Sequence, residues 1–125
     1  MKNAINWFEI PVTDYQRAKT FYETILGVSI IDMPMPEQNV EYGVFPHDME
    51  NGGVGGAIMR MDDMNPSKDG STVYLNGGDD LNTALQKVAA AGGQVIIPKM
   101  NIGENGYIAQ FIDSEGNRVA LHSMN

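Results

Sequence analysis

Glu9 and His122 are the two side chains whose types and settings suit proton transfer. Glu9 stands in the mostly apolar segment 5–12. A carboxylate there is expected to have its pKa raised by desolvation, or to pair with a cation. It fits a general acid or base, or an anchor for a cationic ligand group. It equally fits a rim residue bridged to an arginine, or one buried at a subunit contact. His122, in the last apolar segment, fits an acid–base partner near neutral pH. Its other reading is a solvated strand-end histidine close to the C-terminus. Together the two could form a displaced two-ligand metal site. Trp7 precedes Glu9 by two residues, which places both on one face of a strand. It could stack on an aromatic or cationic ligand, or simply fill space. His47 reads as a loop residue without a role. The run Gly52-Gly53-Val54-Gly55-Gly56 does not lead from a strand into a helix, so close backbone approach is its better reading than a phosphate loop. Cysteines are absent, which excludes disulfides, thiolate metal sites and cysteine nucleophiles. No metalloprotease, Walker or nucleophile-elbow motif occurs.

The elements that must position these groups follow from periodicity. Residues 5–12 read as a strand, with Pro11 pointing to an edge or a bulge. Asp14 is a candidate N-cap. Ala18, Phe21, Tyr22 and Ile25 then share one helical face, and Gly27 supplies the left-handed stop. Strands are expected at 28–33, 40–45 and 54–61, with a turn at 48–52. A polar linker, about 62–71, follows. The order then restarts with a strand at 72–76 and a helix capped by Asp79 or Asp80, with Leu81, Ala84, Leu85 and Val88 on its face. Gly92-Gly93 ends it. A strand at 94–97 is stopped by Pro98, and a hairpin, 107–112 and 117–122, closes the chain.

The restart is a repeat. A shift of 66 residues carries Asp14 to Asp80, Ala18 to Ala84 and Gly27 to Gly93. A shift of 65 carries Tyr42 to Tyr107, Asp48 to Asp113, Glu50 to Glu115 and Val54 to Val119. The expectation is one α+β domain over residues 1–125, built from two tandem βαβββ modules at about 4–61 and 72–125. One module leaves a sheet face open, so two should form a curved, partly open barrel-like sheet around a shared cavity. That cavity is the expected seat of function.

Composition narrows the partners. The chain has 125 residues, 42% of them hydrophobic, and a formal charge of −8 from 16 acidic and 8 basic residues. Nucleic acid and anionic membrane surfaces are unfavourable partners for such a surface. No apolar run approaches the ~20 residues of a membrane span. The N-terminal residues lack the apolar core of a secretory signal, and a cytoplasmic protein is the expectation.

The opening Trp7-Phe8-Glu9-Ile10-Pro11-Val12-Thr13-Asp14, followed by Arg17-Ala18, Phe21-Tyr22 and Leu26-Gly27, resembles the start of the vicinal oxygen chelate superfamily. That group holds glyoxalase I, bleomycin-resistance proteins, fosfomycin-resistance enzymes and extradiol dioxygenases. The similarity is to its branch of glyoxalase-related predicted enzymes. The ending Asp113-Ser114-Glu115-Gly116-Asn117-Arg118-Val119-Ala120-Leu121 resembles the family's closing hairpin. In metal-bearing members, His, Gln or Glu ligands lie on the first and last strand of each module. The resemblance places those positions at Trp7, Gly55, Val73 and Ala120. None of these side chains is a donor for a divalent cation. No metal and no other cofactor is therefore expected.

With alternation, the resemblance assigns a cavity wall of Trp7, Glu9, Met59, Val73, Leu75 and Ala120, joined by Arg118 and His122. The wall is mostly apolar, as in small-molecule pockets. The expected activity is metal-free binding of a small organic molecule, with Glu9 and His122 as catalytic candidates should a reaction occur. Two alternatives remain: a metal-dependent lyase or dioxygenase with relocated ligands, and sequestration of a cationic antibiotic. The resemblance also implies a homodimer.

Overall fold

The computed structural model describes residues 2–37 and 39–125. Eight strands and three α-helices are present among them, in the order β1 (Trp7–Pro11), α1 (Tyr15–Leu26), β2 (Ile31–Met33), β3 (Glu41–Val44), β4 (Gly55–Arg60), β5 (Val73–Asn76), α2 (Asn82–Leu85), α3 (Val88–Ala91), β6 (Gln94–Asn101), β7 (Tyr107–Ile112) and β8 (Arg118–Ser123), with a single 3-10 turn at Gly103–Asn105 between β6 and β7. The α+β class and the two tandem modules match the sequence expectation. Each module has its own four-stranded mixed sheet, ordered β1-β4-β3-β2 and β5-β8-β7-β6, and the sheets do not close into a barrel. No helix among the described residues is long and apolar enough to cross a membrane.

Local sequence explains most boundaries. The Asp14 carboxylate accepts from the Arg17 amide at 3.0 Å, and Gly27 ends α1 at φ 65°. Loss of such a cap costs about 1 kcal/mol. Ala18, Phe21, Tyr22 and Ile25 are all buried on the expected face. Pro11 ends β1, which is an edge strand, so its missing N–H leaves no gap in a sheet interior. The second module departs more. Its helix is broken into α2 and α3, and Asp80 holds the Asn82 amide at 2.9 Å rather than capping a long helix. Pro98 does not stop β6. That strand runs on to Asn101 as an edge strand, and the register shift between Ile97 and Met100 accommodates the ring.

The backs of both sheets and all three helices share one core. Ile10 and Ile58 from the first sheet meet Phe21, Tyr22 and Ile25 of α1, Leu81 and Val88 of the second module, and Phe111, Val119 and Leu121 of the second sheet. Phe21 packs in edge-on contact with Tyr22 and in tilted contact with Phe111.

A polar lock joins the modules beside this core. The buried Tyr22 hydroxyl donates to Asp113 at 2.5 Å. Asp113 also accepts from the Asn117 side chain at 3.0 Å, and that amide group donates to the Pro11 carbonyl at 2.8 Å. Glu115, its side chain fully buried, accepts from the amides of Thr13 and Asp14 at 3.0 and 2.7 Å and from the Arg17 guanidinium at 2.7 Å. Burial alone would raise the Glu115 pKa. The Arg17 guanidinium, the two amides and the Ser114 hydroxyl outweigh it and hold the pKa below the ordinary value.

The strand pairing corrects one part of the expected cavity wall. β5 and β8 run parallel with Tyr74 beside Ala120 and Asn76 beside His122, while Val73 pairs with Val119 and Leu75 with Leu121. Val73 and Leu75 therefore lie on the core side, Leu75 within the core and Val73 packed against it. The cause is one residue fewer between strand and helix in the second module, six positions from Tyr74 to Asp80 against seven from Trp7 to Asp14. It makes Tyr74, not Val73, the counterpart of Trp7, and a one-residue slip reverses every side chain on a strand.

Candidate functional site

The outer face of the first sheet carries the main cluster. β1 and β4 pair with Trp7 beside Gly55 and Glu9 beside Ala57. β3 adds Tyr42 beside Met59, and β2 adds Met33 beside Tyr42. By alternation Trp7, Glu9, Tyr42, Gly55 and Met59 share this face, opposite Phe8, Ile10 and Ile58. The Trp7 indole N–H donates to the Tyr42 hydroxyl at 2.9 Å, and that hydroxyl donates onward to the Glu9 carboxylate at 2.7 Å. Burial, followed by the bond to Glu9, raises the Tyr42 pKa above its ordinary value, so the phenol stays protonated and keeps donating.

His47, expected to be a loop residue without a role, completes the cluster. Its ring stands edge-on to Trp7, with centroids 5.7 Å apart and planes at 76°. It lies directly over Gly55, where an added Cβ would come within 2.4 Å of its Nδ1. Only glycine at 55 admits the ring. The glycine run thus serves close approach, as its sequence context indicated, and Gly56 does the same for the Phe8 ring on the core side. The glycine is the one trace of this contact in the sequence: a strand position without Cβ implies a neighbour that needs the space, without saying which residue it is.

The second sheet presents a more polar outer face. Gln110 donates to the Tyr74 hydroxyl at 3.1 Å and accepts from the Arg118 guanidinium at 2.9 Å. His122 sits within β8, half-buried, with Nε2 at 2.5 Å from the Asn105 carbonyl, so it is not a frayed chain end. Ala120 and Met59 are buried. Glu9 and His122 belong to separate hydrogen-bond networks. Glu9 is exposed and bonded to Tyr42, so in the single chain the desolvation expected of it is absent. It shares only a small pocket of about 120 Å³ with Arg118 and Val73, between β1 and the linker.

The pairing registers also test the metal positions directly. The residues at the first and last strands of each module are Trp7 with Gly55 and Tyr74 with Ala120. An indole, a phenol and two side chains without donors do not make a divalent-metal site, and the His47 ring fills the volume over Gly55. Among the described residues, no group of three or more His, Cys, Asp or Glu side chains is placed to hold a metal ion.

Residues 4–121 match the profile of the Glyoxalase/Bleomycin resistance protein/Dioxygenase superfamily. The chain belongs to this superfamily. Among curated relatives it is 32% identical over 123 residues to the candidate glyoxylase CFP32 of Mycobacterium bovis and of Mycobacterium tuberculosis, covering 96% of this chain and 45% of those proteins. The fold is shared with glyoxalase I of Zea mays (TM-score 0.72, 20% identity, 98% of this chain and 48% of that one). It is also shared with the fosfomycin resistance protein FosX of Listeria monocytogenes (TM-score 0.66, 13% identity, 100% and 94%). The superfamily chain described here thus spans about half the length of CFP32 and of maize glyoxalase I.

Proposed function

We propose that this chain binds a small organic molecule against the outer face of the first sheet, at Glu9, Tyr42, Trp7 and His47, without a metal ion. The observation that carries the reading is the hydrogen-bonded series from Trp7 through Tyr42 to Glu9, beside a histidine seated over the glycine of a ligand position. An exposed carboxylate beside an indole, a phenol and an imidazole suits a flat molecule with a cationic or hydrogen-donating group. Glu9 and His47 give such a site acid–base capacity, but their arrangement does not specify a reaction.

A second copy of the chain would complete the site. Trp7 is 40% exposed, and Ile31 and Met33 on the same face are 57% and 46% exposed. On the second sheet, Tyr74 is 46% exposed. Aromatic and methionine side chains laid out on open sheet faces are typical of surfaces that become buried. Relatives of double length support the same reading, since a second unit in one chain can serve as a second copy does.

The test is titration with benzyltrimethylammonium, followed by Trp7 fluorescence, in protein purified without added metal. Saturable quenching that is lost in Glu9→Gln and Tyr42→Phe is expected. No quenching, or near-stoichiometric divalent metal by elemental analysis, overturns the reading. The acidic charge of −8 favours one further form of it, sequestration of a cationic antibiotic. Calorimetric titration with a bleomycin-type compound checks this, and absence of both heat and thermal shift removes it.

A further inference from the structure

The two modules are related by repeat, but only one of the two expected inter-module contacts is made. On one side the 113–117 turn docks onto the start of α1, and Tyr22, Arg17 and the Phe21–Phe111 pair fill the junction. Repeat arithmetic gives the counterparts on the helix, Arg17 becoming Thr83 and Phe21 becoming Lys87, while Glu115 corresponds to another glutamate, Glu50. The two helix replacements are shorter or polar. The counterpart turn does not dock either. Asp48 bonds within its own turn, to Asn51 and Gly53, and Glu50 is exposed.

What stands at the second junction is a cavity of about 550 Å³. Phe8, Ile25, Val28, Phe45 and Leu75 line its body. Asn76, Asp79, Thr83 and Lys87 border it as well. It opens on the core side of the first sheet, not at the Glu9–Tyr42–Trp7 face, since Phe8 and Trp7 are neighbours in an edge strand and point oppositely. The volume is that of an ordinary ligand pocket. Apolar walls of this extent facing water forfeit packing that the other junction obtains from protein.

We infer that this cavity between the Phe45–Pro46 segment and the 76–80 turn binds a compact apolar molecule with an alcohol or amine head. The ring or aliphatic body would lie against Phe8, Phe45 and Leu75. The head would donate to the Asp79 carboxylate or the Thr83 hydroxyl. Asp79 and Asp80 oppose a carboxylate head, with Lys99 at 2.9 Å offsetting Asp80 and Lys87 on the same border offsetting Asp79, so the lining carries no net positive charge to hold an anion.

The experiment is an amide NMR titration of the full chain with 4-phenylbutan-1-ol and, separately, 4-phenylbutyrate. Saturable shifts clustered at Gly77, Gly78, Thr83 and Ala84 are expected, with the alcohol the tighter ligand. Thr83→Trp, at an exposed wall position, should weaken the alcohol about tenfold or more, about 1.4 kcal/mol. Val54→Trp, on the opposite wall, should do the same, and it carries the test should Thr83→Trp fail to fold. Absence of clustered shifts, tighter binding of the carboxylate, or unchanged affinity in a folded blocking variant overturns the inference. Shifts confined to Trp7 and Tyr42 also overturn it, while leaving the outer-face reading intact.

Discussion

Tyr22→Phe removes one hydroxyl from the polar lock and nothing else. The Tyr22 side chain is fully buried, and its ring contacts with Phe21 and Phe45, at centroid distances of 5.0 and 5.6 Å, survive the change. What is lost is the 2.5 Å bond to Asp113. Burial, followed by the nearby Asp113 carboxylate, keeps the Tyr22 pKa well above its ordinary value, so the phenol is a donor at every accessible pH. Asp113 retains the Asn117 side chain and the amides of Glu115 and Asn117 as donors. The loss is therefore that of one charge-assisted bond, about 2 kcal/mol, and not that of a wholly stranded carboxylate. For a chain of this length that lowers Tm by roughly 8 °C. Urea unfolding followed by far-ultraviolet circular dichroism measures it. A double-mutant cycle with Asp113→Asn should return a coupling of about 1.5 kcal/mol. A destabilisation below about 0.5 kcal/mol, or a coupling near zero, refutes the view that this bond ties the modules together.

Other consequences are open to direct measurement. The Glu115 pKa lies below its ordinary value of 4.5, so its contribution to stability is present above that pH and is lost as pH falls through the folded-state pKa. The Tm gap between the native chain and Glu115→Gln should accordingly be widest near neutral pH and narrow as pH falls below 4.5 and through the folded-state pKa. A gap independent of pH contradicts the assignment. Gly56→Ala drives a Cβ to 2.2 Å from the half-buried Phe8 ring that packs against the core and should destabilise by about 2 kcal/mol in denaturant unfolding. Gly55→Ala meets only the His47 ring on the open face, so its cost should be smaller, and the displaced imidazole should shift Trp7 emission in the same direction as His47→Ala.

Much of the fold was legible because it is written in local rules applied twice. Asp14, the Ala18–Ile25 face and Gly27 specify α1 without tertiary help, and the 113–117 turn announces the last hairpin. The errors arose where a long-range quantity was inferred from a local one. The offset of 66 that holds at Asp80 does not extend back across the loop to the strand, because the second module has one residue fewer there, and Tyr74 rather than Val73 takes the outer face. The strand itself held the correction, since Val73 and Leu75 are the apolar pair and Tyr74 matches Trp7 as an aromatic. His47 was illegible for a different reason. Its place over Gly55 depends on how the 48–53 turn folds back, and no periodicity encodes that. Pro98 does not break β6 because that strand lies at a sheet edge, where a bulge removes the conflict.

The lock around Glu115 has a consequence for synthesis. The entry to α1 leaves the amides of Thr13 and Asp14 to be satisfied by a carboxylate 102 and 101 residues further along the chain. A nascent chain leaving the ribosome therefore cannot finish its first helix junction when its first module is complete. Nor can it seal Tyr22, whose partner is 91 residues away. Until the final hairpin emerges, the α1 surface that will contact Phe111 stays open to water and to other chains. Closure of such distant contacts is slow, so the interval during which a chaperone can engage this protein is set by the position of its last turn.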